Sequence, residues 1–193
     1  PVRDPAGVLG RVGYLSEEHE LPEWMRIGEL MRYTQAFHPT WDGSYERELL
    51  ESFALDPKLK IKDLSKGMRA QAGLIAAAAH RPELLILDEP SSGLDAIVRR
   101  DILDAIVRAV ADDGRTVIFS SHLLDEVERM SDHVTLMHHG RVTLSGALDD
   151  VRRSYQRSRV RFVEHFDQPP SLETAMAMEG GGRTWSVVHS GSL

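Results

Sequence analysis

Four consecutive aliphatic residues, Leu84–Leu87, run straight into Asp88-Glu89-Pro90 and then Ser91-Ser92-Gly93-Leu94-Asp95. A run this short with no polar face predicts a strand buried on both sides, as in a parallel sheet. Parallel neighbours require crossover connections, usually helical. The following residues supply them. Leu94–Val110 places apolar residues at 94, 97, 98, 102, 106 and 110, an amphipathic helix, and Thr116–Ser120 reads as a second buried strand. Leu123–Met130 reads as another helix. Val134–Met137 and Arg141–Leu144 then form a hairpin around His138-His139-Gly140, whose paired imidazoles are expected to face water. Strand, helix, strand, helix, strand is an α/β pattern with a parallel sheet covered by helices.

Upstream, Val12–Leu15 reads as the end of a strand, followed by an acidic loop, Ser16–Pro22. Trp24–Phe37 sets Ile27, Leu30, Met31 and Ala36 near a helical period, and "HPTWDGS" breaks the chain. Tyr45–Leu55 predicts a second helix. Lys66–His80, rich in alanine, predicts a third that stops before Pro82. These helices form a lobe inserted into the sheet. Beyond Tyr155 the character changes: "RRSYQRSRVRF" is basic, and Pro169-Pro170, Gly180–Gly182 and "TWSVV" follow. This is an appended segment with a strand or two, its arginines expected on a solvated face.

At 193 residues the chain fits one ordinary domain plus an appendage. Its hydrophobic and charged fractions, 41% and 27%, are those of a soluble globular protein. A net charge of −7 argues against a duplex-binding face, which needs clustered Lys and Arg. With no cysteine there are no disulfides or thiolate metal sites, which fits a reducing compartment. Ala70–Ala79, the longest uncharged stretch near the middle, is too short to span a membrane. No charged-then-apolar leader opens the chain. It begins at Pro1 rather than Met, so truncation is expected.

Asp88 and Glu89 would stand at the carboxyl end of a buried strand, where open α/β sheets bind ligands. Adjacent acids there suit metal-assisted phosphate chemistry: Asp88 to hold Mg²⁺, Glu89 to polarise an attacking water. His122 also follows a buried strand directly, and a parallel neighbour would bring its imidazole near Glu89, able to donate to a phosphate oxygen. "LSKGM", Leu64–Met68, opens the third helix. Ser65 would offer a hydroxyl, Gly67 an unhindered N–H and Lys66 a positive charge, beside the positive end of the helix dipole. No glycine of the chain is followed by lysine, so the 193 residues contain no G-x-x-x-x-G-K-[ST] phosphate loop.

In this order and spacing the motifs resemble those of the nucleotide-binding subunits of ATP-binding cassette (ABC) transporters. "LSKGM" is similar to the family's signature sequence, "LLILDEP" to its Walker B strand, and "SGLD" to its D-loop; "SSH" ends in the switch histidine. "VGYLSEE" stands where the family has its Q-loop, with Glu17 at the position usually held by glutamine. The resemblance covers roughly Val12 to Gly146. The short helical lobe, "HHGRV" and the C-terminal appendage look most like bacterial subunits serving ABC-2-type permeases, many of them drug or lipid exporters. Lys66 and Met68 replace the usual Gly and Gln of the signature, while Ser65 and Gly67 are kept.

The resemblance implies a partial RecA-like P-loop NTPase sheet with an inserted α-helical subdomain (about 22–80) within an ATPase domain over 1–155. A C-terminal extension over 156–193 follows. The Walker A loop, its preceding strands and an adenine-stacking aromatic are expected upstream of Pro1, so the 193 residues alone are expected to be inactive. It also implies the cofactors ATP and Mg²⁺, with Glu89 and His122 catalytic and Asp88 and Glu17 touching Mg²⁺. Ser65, Lys66 and Gly67 would contact an ATP held by a second subunit, and Ser92, Gly93 and Asp95 would couple the two sites. The implied partners are that second subunit and a separate membrane permease gripped by the helical lobe and the Glu17 loop, at the cytoplasmic face of the membrane; nucleic acid is not expected. Two alternatives stand: a non-hydrolysing regulatory partner subunit, and a soluble ABC ATPase of the translation-factor kind. DNA-repair members, with long coiled coils or zinc modules before the signature, do not fit the short Glu17–Leu64 interval or the lack of cysteine.

Overall fold

A computed structural model describes residues 4–111, 114–172 and 175–190. The chain divides into two compact units, Pro1–Glu126 and Val127–Leu193. In the first, strands β1 (Val12–Leu15), β2 (Leu84–Leu87) and β3 (Thr116–Phe119) form a parallel sheet in the order β1-β2-β3. The register pairs Leu15 with Leu87 and Leu87 with Phe119, so the carboxyl ends of all three strands finish level. A short helix, α1 (Pro5–Leu9), which the periodicity did not single out, precedes β1.

The chain leaves the sheet after β1 for a lobe of α2 (Ile27–Gln35), α3 (Gly43–Ser52), a 3-10 turn (Ile61–Asp63) and α4 (Lys66–Ala78), and returns as β2. Each helix has a physical start and an apolar face. Asp42 caps α3 by accepting from the Ser44 and Tyr45 amides at 2.9 and 3.0 Å. Arg81 Nε donates to the other oxygen of Asp42 at 2.9 Å, tying the start of α3 to the end of α4. Ile27, Leu30, Met31, Leu49, Leu50, Ile61, Leu74 and Ile75 are buried and form the lobe core. The helices are shorter than the periodicity predicted. The first begins at Ile27, leaving Trp24 76% exposed, and Ala36 is exposed as well.

Helix α4 lies directly on the sheet because glycine faces it from both sides. A Cβ at Gly13 of β1 would come within 2.1 Å of the Ala77 carbonyl oxygen, and one at Gly73 of α4 within 2.7 Å of Leu15 Cδ1. Gly13, Leu15, Leu85 and Leu87 therefore pack under α4, while the opposite face carries the cross-strand row Tyr14, Ile86 and Ile118. The expectation of strands buried on both sides is corrected here. Of the two strands expected to be buried, β2 has one face buried and the other, Leu84 and Ile86, half-buried, and β3, at the edge of the three-stranded sheet, leaves Ile118 56% exposed. An apolar run records compatibility with burial; the number of covered faces depends on what packs there. Helix α5 (Ala96–Ala111) buries Ile102, Leu103, Ala105, Ile106 and Ala109, whereas Ile97 is exposed. Of the predicted stripe, Leu94, Ile102 and Ile106 are buried and Val98 is half-buried, while Ile97 and Val110 lie off it at 66% and 39% exposed.

Helix α6 (Leu124–Met130) follows β3. In the second unit, β4 (His133–His138) and β5 (Arg141–Ala147) pair as the expected antiparallel hairpin, with His138 and His139 exposed at its turn. A short helix, α7 (Leu148–Ser154), leads to β6 (Gln156–Phe166) and β7 (Ala175–His189), a second antiparallel pair. Arg157, Arg159 and Arg161 are exposed along one face of β6, and Trp185 and Val187 of β7 are buried. Within the expected extension over 156–193, positions 173–174 and 191–193 lie outside the described residues.

Candidate functional site

The level ends of β2 and β3 bring together residues far apart in sequence. Asp88 and Glu89 leave β2, and Ser120, Ser121 and His122 leave β3. The Asp88 amide donates to the Leu15 carbonyl at 2.8 Å, which continues the ladder with β1. One position beyond the Leu87–Phe119 pair, Ser120 Oγ donates to Asp88 Oδ1 at 2.7 Å and accepts from the Glu89 amide at 2.8 Å. His122 Nδ1 and Glu89 Oε2 are 2.8 Å apart. The His122 side chain is 64% exposed and that of Glu89 19% exposed, so the pair faces outward from a shielded carboxylate.

Glu89 holds this position at φ +45, a left-handed conformation that costs a non-glycine residue about 1–3 kcal/mol and persists only where its surroundings enforce it. The amide bond to Ser120, the contact with His122 and the Glu89 carbonyl, which accepts from the Ser92 amide at 3.0 Å, provide that enforcement. The turn continues through Gly93, at φ +68, to Asp95. Its Oδ1 accepts from the Ile97 and Val98 amides at 3.0 and 3.1 Å and so starts α5.

Ser65 is the N-cap of α4 and accepts from the Met68 amide at 3.2 Å; its O–H remains available as a donor. Ser65 and Lys66 are exposed, whereas Gly67 is buried. A Cβ at Gly67 would lie 2.9 Å from Val98 Cγ1, so this glycine also sets the approach of α4 to α5. Lys66 does not simply point to solvent: its Nζ lies where a Cβ on Gly93 would come within 2.7 Å. Glu17 Oε1 accepts from Ser92 Oγ at 3.4 Å, so the loop after β1 also reaches the turn after β2. His19, two residues on, is 2% exposed, and burial pushes its imidazole below the ordinary histidine range.

Among the described residues no group of three or more His, Asp or Glu is arranged to hold a metal. Asp88 stands as a single carboxylate with one oxygen hydrogen-bonded by Ser120. That fits Mg²⁺, which keeps several waters and takes one or two carboxylates together with phosphate oxygens. Glu17, expected beside Asp88 at the metal, has its contact with Ser92.

An uncharacterized ABC transporter ATP-binding protein of Alkalihalophilus pseudofirmus is 34% identical over 182 residues, covering 89% of this chain and 68% of that protein. The chain belongs to the ABC transporter ATP-binding protein family. Another relative in that family, the daunorubicin/doxorubicin resistance ATP-binding protein DrrA of Streptomyces peucetius, is 35% identical over 143 residues, 72% of this chain and 41% of DrrA. This ABC chain spans 46% of the YtrB ATP-binding protein and 53% of YhaQ, both of Bacillus subtilis. It covers 65% of a solved ATP-binding subunit of an ABC transporter, with a TM-score of 0.71 and 29% identity over 79% of its own length. A dimeric ATP-binding cassette in a post-hydrolysis state shares the fold at a TM-score of 0.64 and 19% identity, covering 74% of this chain and 65% of that one. Residues 44–128 also match the model of an AAA domain described as a putative AbiEii toxin of a type IV toxin–antitoxin system. The α/β fold with a parallel sheet is that of the ABC ATPase subunits.

Sequence spacing singled out Asp88, Glu89 and His122, and the ABC fold places them at neighbouring strand ends. It did not single out Ser120, Ser91 or Glu126. For Ser120 a signal existed: a hydroxyl one residue past an apolar strand that is parallel to the acid-bearing one. Glu126 sits within an acidic helix start, with nothing in the sequence to mark it as buried.

Proposed function

We propose that the protein is the ATP-hydrolysing subunit of an ABC transporter, working in pairs and driving a separate membrane permease. The observation that carries this reading is the 2.8 Å contact between His122 and Glu89 beside Asp88, at the carboxyl edge of a parallel sheet. Glu89, partly shielded and oriented by the imidazole, accepts a proton from the attacking water. His122, mostly exposed, meets the Glu89 carboxylate through Nδ1–H and, with both ring nitrogens protonated, would donate through Nε2–H to a phosphate oxygen of the nucleotide. Asp88 would hold Mg²⁺, which when bound neutralises charge on the phosphate oxygens. Ser65, with its O–H available, the Gly67 amide and the dipole of α4 would meet the phosphates of an ATP carried by the second subunit, with the Lys66 charge nearby. Ser92, Gly93 and Asp95 would lie between the two nucleotide sites.

No helix among the described residues is long and apolar enough to cross a membrane. Attachment at the cytoplasmic face would run through the permease, gripped by the helical lobe and the Glu17 loop. The exported molecule would be a drug, lipid or other small molecule; the likeness to DrrA, a drug-resistance ATP-binding protein, supports the first of these. The test uses the full-length gene product: ATP hydrolysis is measured for the unsubstituted protein and for Glu89→Gln. The expected result is turnover in the first and, in the second, loss of turnover with ATP retained in a stable dimer. Unchanged turnover in Glu89→Gln overturns the role of Glu89, and no hydrolysis by the unsubstituted protein overturns the enzymatic reading.

A further inference from the structure

A buried carboxylate joins the two turns that carry the Glu89–His122 pair. Glu126, in the first turn of α6, is 2% exposed. Ser91 Oγ, two residues beyond Glu89 and itself 1% exposed, lies 2.7 Å from Glu126 Oε1 and 2.9 Å from Oε2, and donates to the carboxylate. Ser121 Oγ, next to His122, donates to Oε2 at 2.8 Å and accepts from the Leu123 amide at 3.1 Å. Arg99 Nε of α5 stands 3.8 Å from Oε1. One carboxylate thus collects the turn after β2, the turn after β3 and the helix that follows the D-loop turn.

Enclosing a carboxylate costs several kcal/mol that its partners must offset, and an apolar side chain fills space more cheaply. Shape alone is therefore a poor account of Glu126. The arrangement does fit a positional need. His122 is 64% exposed, so packing does not hold it, and its direction follows from the turn on which it sits. That turn meets the Glu89 turn through Ser120 at the strand ends and through Glu126 beneath.

We propose that Glu126 is a positioning residue for hydrolysis: its clasp on Ser91 and Ser121 holds His122 within reach of Glu89. The inference rests on the hydrolytic reading above. A clasp of this kind acts on the rate of the chemical step and leaves ATP affinity largely alone, because a misplacement of about 1 Å at reacting groups costs on the order of 100-fold in rate.

The test is steady-state ATP hydrolysis by the full-length gene product carrying Glu126→Ala, Glu126→Gln or Ser121→Ala, each also combined with His122→Ala. Glu126→Ala is expected to lower kcat about 10- to 100-fold with KM for ATP within about twofold. Glu126→Gln, whose amide oxygen still accepts a serine hydroxyl, recovers most of the rate. In the His122→Ala background, Glu126→Ala costs less than about threefold, because the group it positions has gone. An equal loss in both backgrounds, a rise in KM that accounts for the loss, or a Glu126→Ala rate within threefold of the unsubstituted protein overturns the proposal. If Glu126→Ala does not fold by circular dichroism, Ser121→Ala is judged by the same criteria. If the unsubstituted protein hydrolyses no ATP, the enzymatic reading fails, and the clasp is judged by hydrogen exchange at the Leu123 amide. An increase of at least tenfold in Glu126→Ala, with exchange in Glu126→Gln within threefold of the unsubstituted protein, sustains it, and unchanged exchange in Glu126→Ala overturns it.

Discussion

Glu89 and His122 meet at 2.8 Å across 33 positions of sequence, and the contact joins the ends of two parallel strands. Neither residue reaches the other by packing; the strand register and the Ser120 bridge set their separation. In the full-length protein His122→Ala is expected to lower kcat for ATP about 100- to 1,000-fold, as for loss of a preorganised donor at developing charge. Single-turnover hydrolysis checks this. A loss of less than tenfold removes His122 from the chemistry.

Gly67 has a packing duty beside the phosphate role proposed for it. A methyl group there would press on Val98 at 2.9 Å, and a β-branched side chain in a helix has little rotamer freedom to yield. Gly67→Ala should destabilise the fold by about 1–3 kcal/mol through overpacking. Urea unfolding measures this, and adding Val98→Ala should restore most of the loss. No rescue by Val98→Ala would assign the cost of the change elsewhere.

His80 makes the first unit acid-sensitive. It is 2% exposed and stacked on His38 with ring centroids 3.8 Å apart; burial, and then the neighbouring His38, lower its pKa from 6.5 to about 4. An unfolded chain therefore takes up a proton on His80 below about pH 6.5 that the folded chain refuses until about pH 4. Its contribution is fully present above pH 6.5 and falls with pH down to about 4, by roughly 3 kcal/mol in all. Unfolding free energies of the native protein and of His80→Asn, compared between pH 7.5 and 4.5, isolate this share from that of the carboxylates. Equal pH slopes for the two proteins would refute it.

The 193 residues contain no phosphate loop, the element that gives P-loop proteins most of their backbone contacts to nucleotide phosphates. Calorimetry on this chain should therefore find ATP binding weaker than millimolar and negligible hydrolysis. Binding at millimolar strength or tighter counts against that expectation.

Much of the site was legible before any coordinates. Asp88 and Glu89 follow four aliphatic residues, and His122 follows a second apolar run; those local patterns are enough to place them at strand ends. The helical lobe was legible as well, because capping residues and proline breaks mark it out, although its helices proved shorter at their ends. Glu126 was not legible. Its sequence neighbours are acidic and look solvated, and only the approach of Ser91 and Ser121 from two other loops encloses it.

By itself, the sequence determined the alternation of strands and helices, the motif order and the identity of the acids and the imidazole, because these depend on side-chain chemistry and short-range period. Tertiary structure alone decided which sheet face is covered, why Gly13, Gly67 and Gly73 have no side chain, and that Ser120 and Glu126 bind together the turns that carry Glu89 and His122. Those are distances between segments remote in the chain, set by how α4 and α5 pack on the sheet, and no local pattern encodes them.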